Sequence, residues 1–284
     1  MTGNHTVAGL LDRALRLLPE DAALDAELLL AAALGQNRAW IKSHAEVIPG
    51  AAQTAVFKQL IDRRATGEPL AYILGYRDFW TLRLAVDRRV LVPRPETELL
   101  VERALHVLGE REATVADLGT GSGAIALALA SERPNWHITA TDASADALAV
   151  ARHNAQQLNL SAVQFVSGSW FEPLAGRRFD LIASNPPYVG GGDPALAQLQ
   201  HEPHVALTPS AEAMTALRSI IEEAPGHLER CGWLLLEHGY DQAASVGEAL
   251  VARGFARVRS HRDLAGHERM TEAQWPAHPP DEEP

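Results

Sequence analysis

The sequence predicts an α/β fold in which a doubly wound, mainly parallel seven-stranded sheet follows a small helical bundle and a β-hairpin linker. Three observations predict this fold. Apolar residues recur at helical spacing up to about residue 67, alternate with polar residues between 77 and 92, and then form strand-like runs separated by helical stretches. Such an alternation of strands and helices is typical of right-handed crossovers and of a parallel sheet with helices on both faces.

The chain divides into segments with different patterns. Residues 1–75 are predicted to form the helical bundle, because apolar residues recur every three or four positions there. Residues 76–93 are predicted to form the β-hairpin linker, since apolar and polar residues alternate. We expect residues 94–276 to form the main α/β domain. Residues 277–284 are rich in proline and acidic residues, which predicts a disordered tail.

Strands and helices alternate within the main domain after a first helix that ends at about Leu108. The predicted strands are Thr114–Leu118, His137–Asp142, Val163–Val166, Phe179–Ser184, Trp233–Glu237, Phe255–His261 and Met270–Trp275. The predicted helices between them are Ala124–Ser131, Ala145–Leu158, Ala211–Arg230 and Gln242–Arg253. The last two strands are expected to pair antiparallel and to close the sheet.

The composition excludes several classes of protein. Hydrophobic residues make up 46% of the chain and charged residues 21%. No apolar run is long enough to span a membrane, and the N-terminus lacks the apolar block of a signal peptide, so we expect a cytoplasmic protein. The net charge of −11 argues against a nucleic-acid substrate, because phosphate binding depends on Lys and Arg. Cys231 is the single cysteine, which excludes an intramolecular disulfide, and we expect its thiol to lie in the core. We also expect no metal site and a monomeric protein.

A glycine-rich loop follows the first strand of the main domain and opens a helix, with the sequence Asp117-Leu118-Gly119-Thr120-Gly121-Ser122-Gly123. Glycines let the backbone turn sharply and approach a ligand, and the free N–H groups of a helix start attract an anion. Asp142 ends the next strand, where an acidic residue binds ribose hydroxyls in dinucleotide folds. The loop and Asp142 predict a nucleotide-like ligand, but Gly119-x-Gly121-x-x-Ala124 leaves a nicotinamide dinucleotide open.

The tetrapeptide Asn185-Pro186-Pro187-Tyr188 follows the buried strand Phe179–Ser184. In a doubly wound sheet this strand lies beside the first, so the tetrapeptide is predicted to face the ligand on the glycine loop. The prolines remove two donors, and the Asn185 side-chain oxygen and Pro186 carbonyl can accept both hydrogens of a planar NH₂ group that Tyr188 covers. A planar NH₂ nitrogen held beside the ligand can attack a methyl carbon, and its positioning supplies most of the catalysis. The site therefore favours methyl transfer from a sulfonium over hydride transfer.

With these motifs the sequence resembles the PrmC/HemK family of protein-(glutamine-N5) methyltransferases, which modify class 1 peptide chain release factors. The resemblance spans almost the whole chain. Besides the glycine loop and the tetrapeptide, it rests on Gly67 to Tyr72, Leu91 to Glu98, Glu202-Pro203 with Ala206-Leu207, and Leu236 to Gly239. It implies a methyltransferase domain that uses S-adenosyl-L-methionine, and an N-terminal helical domain that docks the substrate.

The resemblance also implies a role for each matching residue. The substrate would be the glutamine of the release-factor Gly-Gly-Gln loop, methylated at N5. The cofactor would be bound by Asp117, Gly119, Thr120, Gly121, Ser122 and Gly123 at its methionine part, by Asp142 at its ribose, and by Trp170 at its adenine. The glutamine amide would be held by the catalytic residues Asn185, Pro186, Pro187 and Tyr188, of which Asn185 would also contact the cofactor. Arg94 and Glu96 would line the same cleft and contact the substrate.

One departure and three alternatives accompany the resemblance. Ser169 stands where many relatives have Asp before the aromatic residue, so we expect the adenine amino group to be held differently. Gln200 to Pro203 also resembles the sister enzymes that methylate a glutamine of a large-subunit ribosomal protein, but these usually lack the continuation Pro95 to Glu98. An adenine-N6 nucleic-acid methyltransferase uses a related tetrapeptide, and the net charge opposes it. A cofactor-binding adaptor without turnover is opposed by the intact tetrapeptide.

Overall fold

The computed structural model describes residues 5–188, 190, 200–203 and 214–277. The chain divides into two compact units, Met1–Tyr76 and Arg77–Pro284. The motif Ala206-Leu207 and the tail from residue 278 onward, both singled out in the sequence, lie outside the described residues. Among the described helices, none combines the length and the apolar character that crossing a membrane requires.

The first unit is helical, as the spacing of its apolar residues predicts. Its helices are α1 (Val7–Leu15), α2 (Ala23–Leu34), α3 (Arg38–Ser43), α4 (Ala51–Ala65) and α5 (Leu70–Leu74). Leu29 and Leu30 of α2 are fully buried and share a core with Phe57 of α4. Each fully buried leucine of this kind contributes about 1.5–3 kcal/mol of hydrophobic stabilisation. Thr6 caps α1 by accepting a hydrogen bond from the backbone N–H of Gly9 at 3.2 Å.

A two-stranded hairpin follows α5. Its strands β1 (Tyr76–Phe79) and β2 (Leu82–Ala85) pair with each other, and the chain reverses at Trp80, whose φ is +55°. Phe79 and Leu84 are buried in the same core as the helices of the main sheet. The Asn154 side chain bonds both backbone groups of Ala85, accepting from its N–H at 2.7 Å and donating to its carbonyl at 3.0 Å. Strand β2 is thereby fixed to the sheet domain.

The second unit contains the predicted sheet, with strand order β5-β4-β3-β6-β7-β9-β8. Its strands are β3 (Thr114–Leu118), β4 (His137–Asp142), β5 (Gln164–Ser167), β6 (Phe179–Ser184), β7 (Leu228–Glu237), β8 (Ala256–Arg262) and β9 (Glu268–Gln274). Strands β3 to β7 pair in parallel, whereas β9 pairs antiparallel with both β7 and β8. Within the described residues, the sheet is therefore seven-stranded and mainly parallel, and an antiparallel pair closes it, as predicted.

Helices cover both faces of this sheet. They are α6 (Glu98–Leu108), α7 (Ala124–Glu132), α8 (Ala145–Gln157), α9 (Thr215–Glu223) and α10 (Ala243–Ala252). One core joins β3 residues such as Val115 to α6 and α7, and a second joins their sequence neighbours such as Ala116 to α9 and α10. Successive residues of β3 thus point into opposite cores, which explains why buried parallel strands appear as nearly continuous apolar runs.

The prediction of a helix over Ala211–Arg230 is wrong at its carboxyl end. Helix α9 ends at Glu223, and a short 3₁₀ helix over Ala224–His227 contains Pro225, which lacks the N–H that a continuing α-helix needs. Strand β7 then begins at Leu228, earlier than predicted, and its first part is irregular because its pairing with β6 shifts register. Cys231 lies in this bulge with φ +62° and is exposed, so the expectation of a core thiol is also wrong.

Candidate active site

The glycine loop leaves β3 and lies against the end of β4. The backbone N–H groups of Gly119 and Thr120 both donate to the carbonyl of Thr141, each at 2.9 Å. Gly119, Gly121 and Gly123 have φ values of +73°, +56° and +86°. Residues that carry a side chain rarely adopt this backbone conformation, so the path of the loop depends on glycine at these three positions.

The Trp170 indole lies next to Gly119. A Cβ atom at residue 119 would approach the indole Cζ3 to 3.2 Å, which is closer than ordinary van der Waals contact. The carbonyl of Trp170 accepts a hydrogen bond from the Thr141 hydroxyl at 3.3 Å. Ser169 is exposed, and its backbone N–H donates to the Glu172 carboxylate at 3.3 Å. The structure thus places the predicted adenine neighbour Trp170 against the glycine loop, and it places Ser169 at the surface.

Asp142 ends β4 and binds the glycine loop. Its Oδ2 accepts from the backbone N–H of Gly121 at 2.9 Å, and its Oδ1 accepts from that of Ser144 at 2.8 Å. Burial raises the pKa of the Asp142 carboxyl, and the two backbone hydrogen bonds oppose that shift. Each carboxylate oxygen can accept more than one hydrogen bond, so Asp142 can also receive hydroxyl groups of a ligand.

Asp117 is completely buried beneath the loop. Its Oδ2 accepts from the Thr120 hydroxyl at 2.6 Å and from the backbone N–H of Ala126 at 3.1 Å, so the carboxylate ties the middle of the loop to the first turn of α7. Its Oδ1 has no hydrogen-bond partner among the described residues. Burial raises the pKa of the Asp117 carboxyl to about 7. Asp117 therefore supports the loop from below and retains one acceptor oxygen.

The tetrapeptide lies beside the glycine loop because β3 and β6 are parallel neighbours. Their register pairs Leu118 with Ser184, and the Ser184 hydroxyl donates to the Leu118 carbonyl at 2.7 Å. Gly119 follows Leu118 and Asn185 follows Ser184, so both loops begin at the carboxyl ends of these two neighbouring strands, at the same edge of the sheet. This edge is the topological switch point at which doubly wound folds bind their ligands.

Hydrogen bonds connect the tetrapeptide to a buried carboxylate. The Asn185 side-chain Nδ2 donates to the Thr97 hydroxyl oxygen at 3.1 Å, and the Thr97 hydroxyl donates to Glu237 Oε2 at 2.7 Å. The Tyr188 hydroxyl donates to the other oxygen, Glu237 Oε1, at 3.1 Å. The Gln242 side chain donates to the Tyr188 carbonyl at 3.3 Å. Thr97 just before α6, Glu237 at the end of β7 and Gln242 just before α10 thus hold the tetrapeptide in place.

The Glu237 carboxyl lies in an unusual electrostatic environment. It is 1% exposed, and burial raises its pKa to about 7. Hydrogen bonds from Thr97 and Tyr188 lower this pKa, the charge of Glu96 raises it and that of Arg269 lowers it. Burial and the neighbouring Glu237 charge raise the pKa of Tyr188, so the Tyr188 phenol is neutral and acts as a hydrogen-bond donor.

Arg94 is joined to Glu202 at the rim of this region. Its Nη2 donates to Glu202 Oε1 at 2.6 Å, and Glu202 Oε2 accepts from the backbone N–H of Val92 at 3.1 Å. The side chain of Glu202 is 3% exposed, whereas that of Arg94 is 34% exposed. Glu96 acts on the tetrapeptide region through its charge on Glu237. The predicted substrate residues Arg94 and Glu96 therefore lie near the tetrapeptide network, and Arg94 already has a protein partner.

Three residues of the site were not selected by sequence reasoning. Thr97 and Glu237 occur in the stretches that carried the family resemblance, but their hydrogen bond spans 140 positions of sequence. Asn154 donates to the Ser122 carbonyl of the glycine loop at 2.9 Å while it also bonds strand β2. Its position on the buried face of α8 was the available signal. Within the described part of the chain, no three His, Cys, Asp or Glu residues cluster as metal ligands.

The fold and these two loops define the class of protein. A family model described as "Methyltransferase small domain" matches residues 95–240, and one described as "PrmC N-terminal domain" matches residues 10–75. The protein is a methyltransferase. A release factor glutamine methyltransferase of Pseudomonas aeruginosa is 51% identical over 89% of this chain and 93% of its own length. One of Xylella fastidiosa is 48% identical over the same shares of both chains. The chain therefore belongs to the release factor glutamine methyltransferase family.

A solved structure shows the same fold at lower sequence identity. The crystal structure of a methyltransferase from Pyrococcus furiosus is 21% identical and covers 68% of this chain and 88% of that one, with a TM-score of 0.53. The two proteins therefore share a fold although their sequences differ at most positions.

Proposed function

We propose that this enzyme transfers a methyl group from S-adenosyl-L-methionine to the side-chain amide nitrogen of the glutamine in the Gly-Gly-Gln loop of class 1 peptide chain release factors. The observation that carries the proposal is the adjacency of the Asn185-Pro186-Pro187-Tyr188 loop and the glycine loop at the edge shared by β3 and β6. The names and high identity of the relatives support the release factor as substrate.

The residues around the glycine loop fit S-adenosyl-L-methionine. When bound, this cofactor supplies an electrophilic methyl group on a sulfonium. The unpartnered, buried Oδ1 of Asp117 suits the cationic end of the cofactor, and glycine at 119 keeps the space beside the Trp170 indole free of a Cβ. Asp142 would accept the ribose hydroxyls, and Thr120 to Gly123 would follow the methionine part. Trp170 would border the adenine, and the exposed Ser169 would leave the adenine amino group to other partners.

The tetrapeptide would orient the acceptor amide for attack. Asn185 Oδ1 and the Pro186 carbonyl would accept the two amide hydrogens, which turns the nitrogen lone pair toward the methyl group. The prolines fix the backbone, and Tyr188 would cover the planar amide. Methyl transfer would leave the amide nitrogen positively charged and therefore strongly acidic, so it would lose its extra proton to water without a strong base. Arg94 and Glu96 would line the entrance for the rest of the release-factor loop.

The remaining assignments follow from this substrate. We propose that residues 1–75 dock the release factor, that residues 76–93 link the two parts, and that residues 94–276 carry out catalysis, with 277–284 as a tail. The enzyme would act in the cytoplasm as a monomer on a protein and would need no nucleic acid. Deleting residues 1–75 should weaken methylation of whole release factor. Unchanged kinetics of a stable truncated enzyme would contradict docking.

A labelling experiment tests the proposed substrate. The enzyme is incubated with methyl-labelled S-adenosyl-L-methionine and, in parallel, with release factor, ribosomal proteins or adenine-containing DNA. We expect label in the release factor, and label in ribosomal protein or DNA alone would contradict the proposal. Asn185→Ala should retain cofactor binding and lose most of the turnover, whereas Asn135→Ala at an exposed position should behave as wild type.

A further inference from the structure

The hydrogen bonds from Asn185 to Glu237 run in one direction. Asn185 Nδ2 lies 3.1 Å from the Thr97 hydroxyl oxygen, and this oxygen lies 2.7 Å from Glu237 Oε2. An ionised carboxylate can only accept, so the Thr97 hydroxyl must give its proton to Glu237. The hydroxyl then has only acceptor capacity left for Asn185. The Asn185 group that meets Thr97 must therefore be the NH₂ group and not the oxygen.

This direction fixes which way the Asn185 amide faces. A side-chain amide carries its donor and its acceptor on opposite sides, so binding the NH₂ group to Thr97 turns Oδ1 away from Thr97. We propose that Thr97 and Glu237 are positioning residues, which orient the Asn185 amide so that Oδ1 is presented to the NH₂ group of the acceptor. This inference rests on the proposed function for the identity of the acceptor. The orientation itself depends only on the protein's own hydrogen bonds.

Glu237 is held firmly enough to serve as such a reference point. Both of its carboxylate oxygens are engaged, Oε2 by Thr97 and Oε1 by the Tyr188 hydroxyl. The side chain is 1% exposed, so water does not compete for these bonds. Tyr188 belongs to the tetrapeptide itself, and its carbonyl is bonded by Gln242 at 3.3 Å. One carboxylate therefore binds both ends of the tetrapeptide, directly at Tyr188 and through Thr97 at Asn185.

Protonation of Glu237 would remove this constraint. A protonated carboxyl can donate to Thr97, whose hydroxyl then becomes free to donate to Asn185 Oδ1 in the opposite orientation. Among the described residues, the charged and titratable groups that act on Glu237 are Tyr188 of the tetrapeptide, Glu96 before α6 and Arg269 of β9. Burial is the largest influence, and it raises the Glu237 pKa to about 7. The Asn185 orientation should therefore be fixed above this pH and lost as the pH falls below it.

A spectroscopic titration of the full-length protein tests the inference without a methyl acceptor. The side-chain NH₂ resonances of Asn185 are followed by ¹⁵N NMR from pH 5 to 9, and the Glu237 carboxyl by ¹³C NMR. We expect both to titrate together, with an apparent pKa near 7. In Thr97→Val the Asn185 signal should stop responding while Glu237 still titrates. Thr97→Ser keeps the hydroxyl and should preserve the coupling.

Kinetics on release factor provide the second readout. Thr97→Val should lower kcat by about 10- to 100-fold, because small errors in position are costly in catalysis. Cofactor affinity should change by less than about twofold, and Thr97→Ser should restore most of the rate. The wild-type kcat should fall below pH 7, and Glu237→Gln should lose this dependence because it cannot ionise.

The possible outcomes separate this inference from the proposed function. An Asn185 signal that ignores the Glu237 titration, or that responds equally in Thr97→Val, would overturn the positioning role. A rate in Thr97→Val equal to that of the wild type would also overturn it. Absence of methyl transfer from the wild type to release factor would instead contradict the proposed function, and the NMR titration would still decide the orientation of Asn185.

Discussion

The backbone N–H of Gly121 donates to Oδ2 of Asp142 at 2.9 Å, so the carboxylate at the end of β4 also fixes the glycine loop at the end of β3. The second oxygen of Asp142 is bonded by the Ser144 N–H at the start of α8. The side chain that we propose to bind the ribose thus also holds the glycine loop in place. The shape of the loop and the proposed ribose binding therefore depend on the same side chain.

Asp142→Asn should weaken cofactor binding strongly. The asparagine amide has one oxygen and one NH₂ group, so it can accept from only one of the two N–H groups, that of Gly121 or that of Ser144. The other N–H loses its partner. Loss of a hydrogen bond to a charged group costs about 1.5–3 kcal/mol, so the Kd should rise about 10- to 100-fold. Isothermal titration calorimetry measures the change, and Asp146→Asn on the exposed side of α8 is the control. An unchanged Kd would remove Asp142 from the cofactor site.

Gly119→Ala should impair cofactor binding more than Gly121→Ala. Both positions have positive φ, so both substitutions strain the loop. Only at 119 does the added Cβ meet another group, the Trp170 indole at 3.2 Å, since nothing lies within 4 Å of a Cβ at 121. Trp170 fluorescence and cofactor titrations compare the two variants. Equal effects would mean that backbone strain alone matters and that the Trp170 contact does not.

Arg94→Met should destabilise the second unit even when no substrate is present. It leaves the Glu202 carboxylate, which is 3% exposed, without its charged partner. Because one third of the Arg94 side chain is exposed, we expect a loss of about 1–2 kcal/mol in the free energy of unfolding. Urea denaturation gives this value. Arg89→Met breaks the exposed Arg89–Asp87 pair and should cost less than about 1 kcal/mol. Unaltered stability of Arg94→Met would confine Arg94 to substrate contact.

Asp117→Asn should reduce the pH dependence of stability. The buried Asp117 has a pKa of about 7 in the folded protein against an ordinary value of 3.8, so the native state binds the proton more tightly than the unfolded state. Its contribution to stability is complete below pH 3.8 and is lost as the pH rises through 7. The free energy of unfolding should therefore fall between pH 5 and 8 by less in the variant, by on the order of 1 kcal/mol. Parallel curves for both proteins would contradict the raised pKa.

The central strands could be predicted because their sequences are locally decisive. Strands β3, β4 and β6 have the predicted bounds, since each is a short segment rich in apolar and β-branched residues and is buried along most of its length. The start of β7 could not be predicted in this way. Residues 228–232 include a register shift against β6, and a bulge depends on a partner strand that lies distant in sequence. The exposure of Cys231 follows from the same bulge.

The two loops of the site could be predicted, but their supports could not. Glycine and proline leave local signatures, and the neighbouring positions of β3 and β6 follow from the topology of doubly wound sheets. The bond between Thr97 and Glu237 is different, because it joins side chains 140 positions apart. The sequence stretches around both residues were recognisable. Their contact was not, because it depends on how α6 packs against the end of β7.

The central claim is tested most directly by mapping the methylated residue of a release factor. The factor is treated with enzyme and S-adenosyl-L-methionine, digested and sequenced by mass spectrometry. We predict the added mass of one methyl group on the glutamine of the Gly-Gly-Gln loop, and none when Asn185→Ala replaces the wild type. Methylation at any other residue, or an unmodified factor after incubation with active wild-type enzyme, would contradict this account.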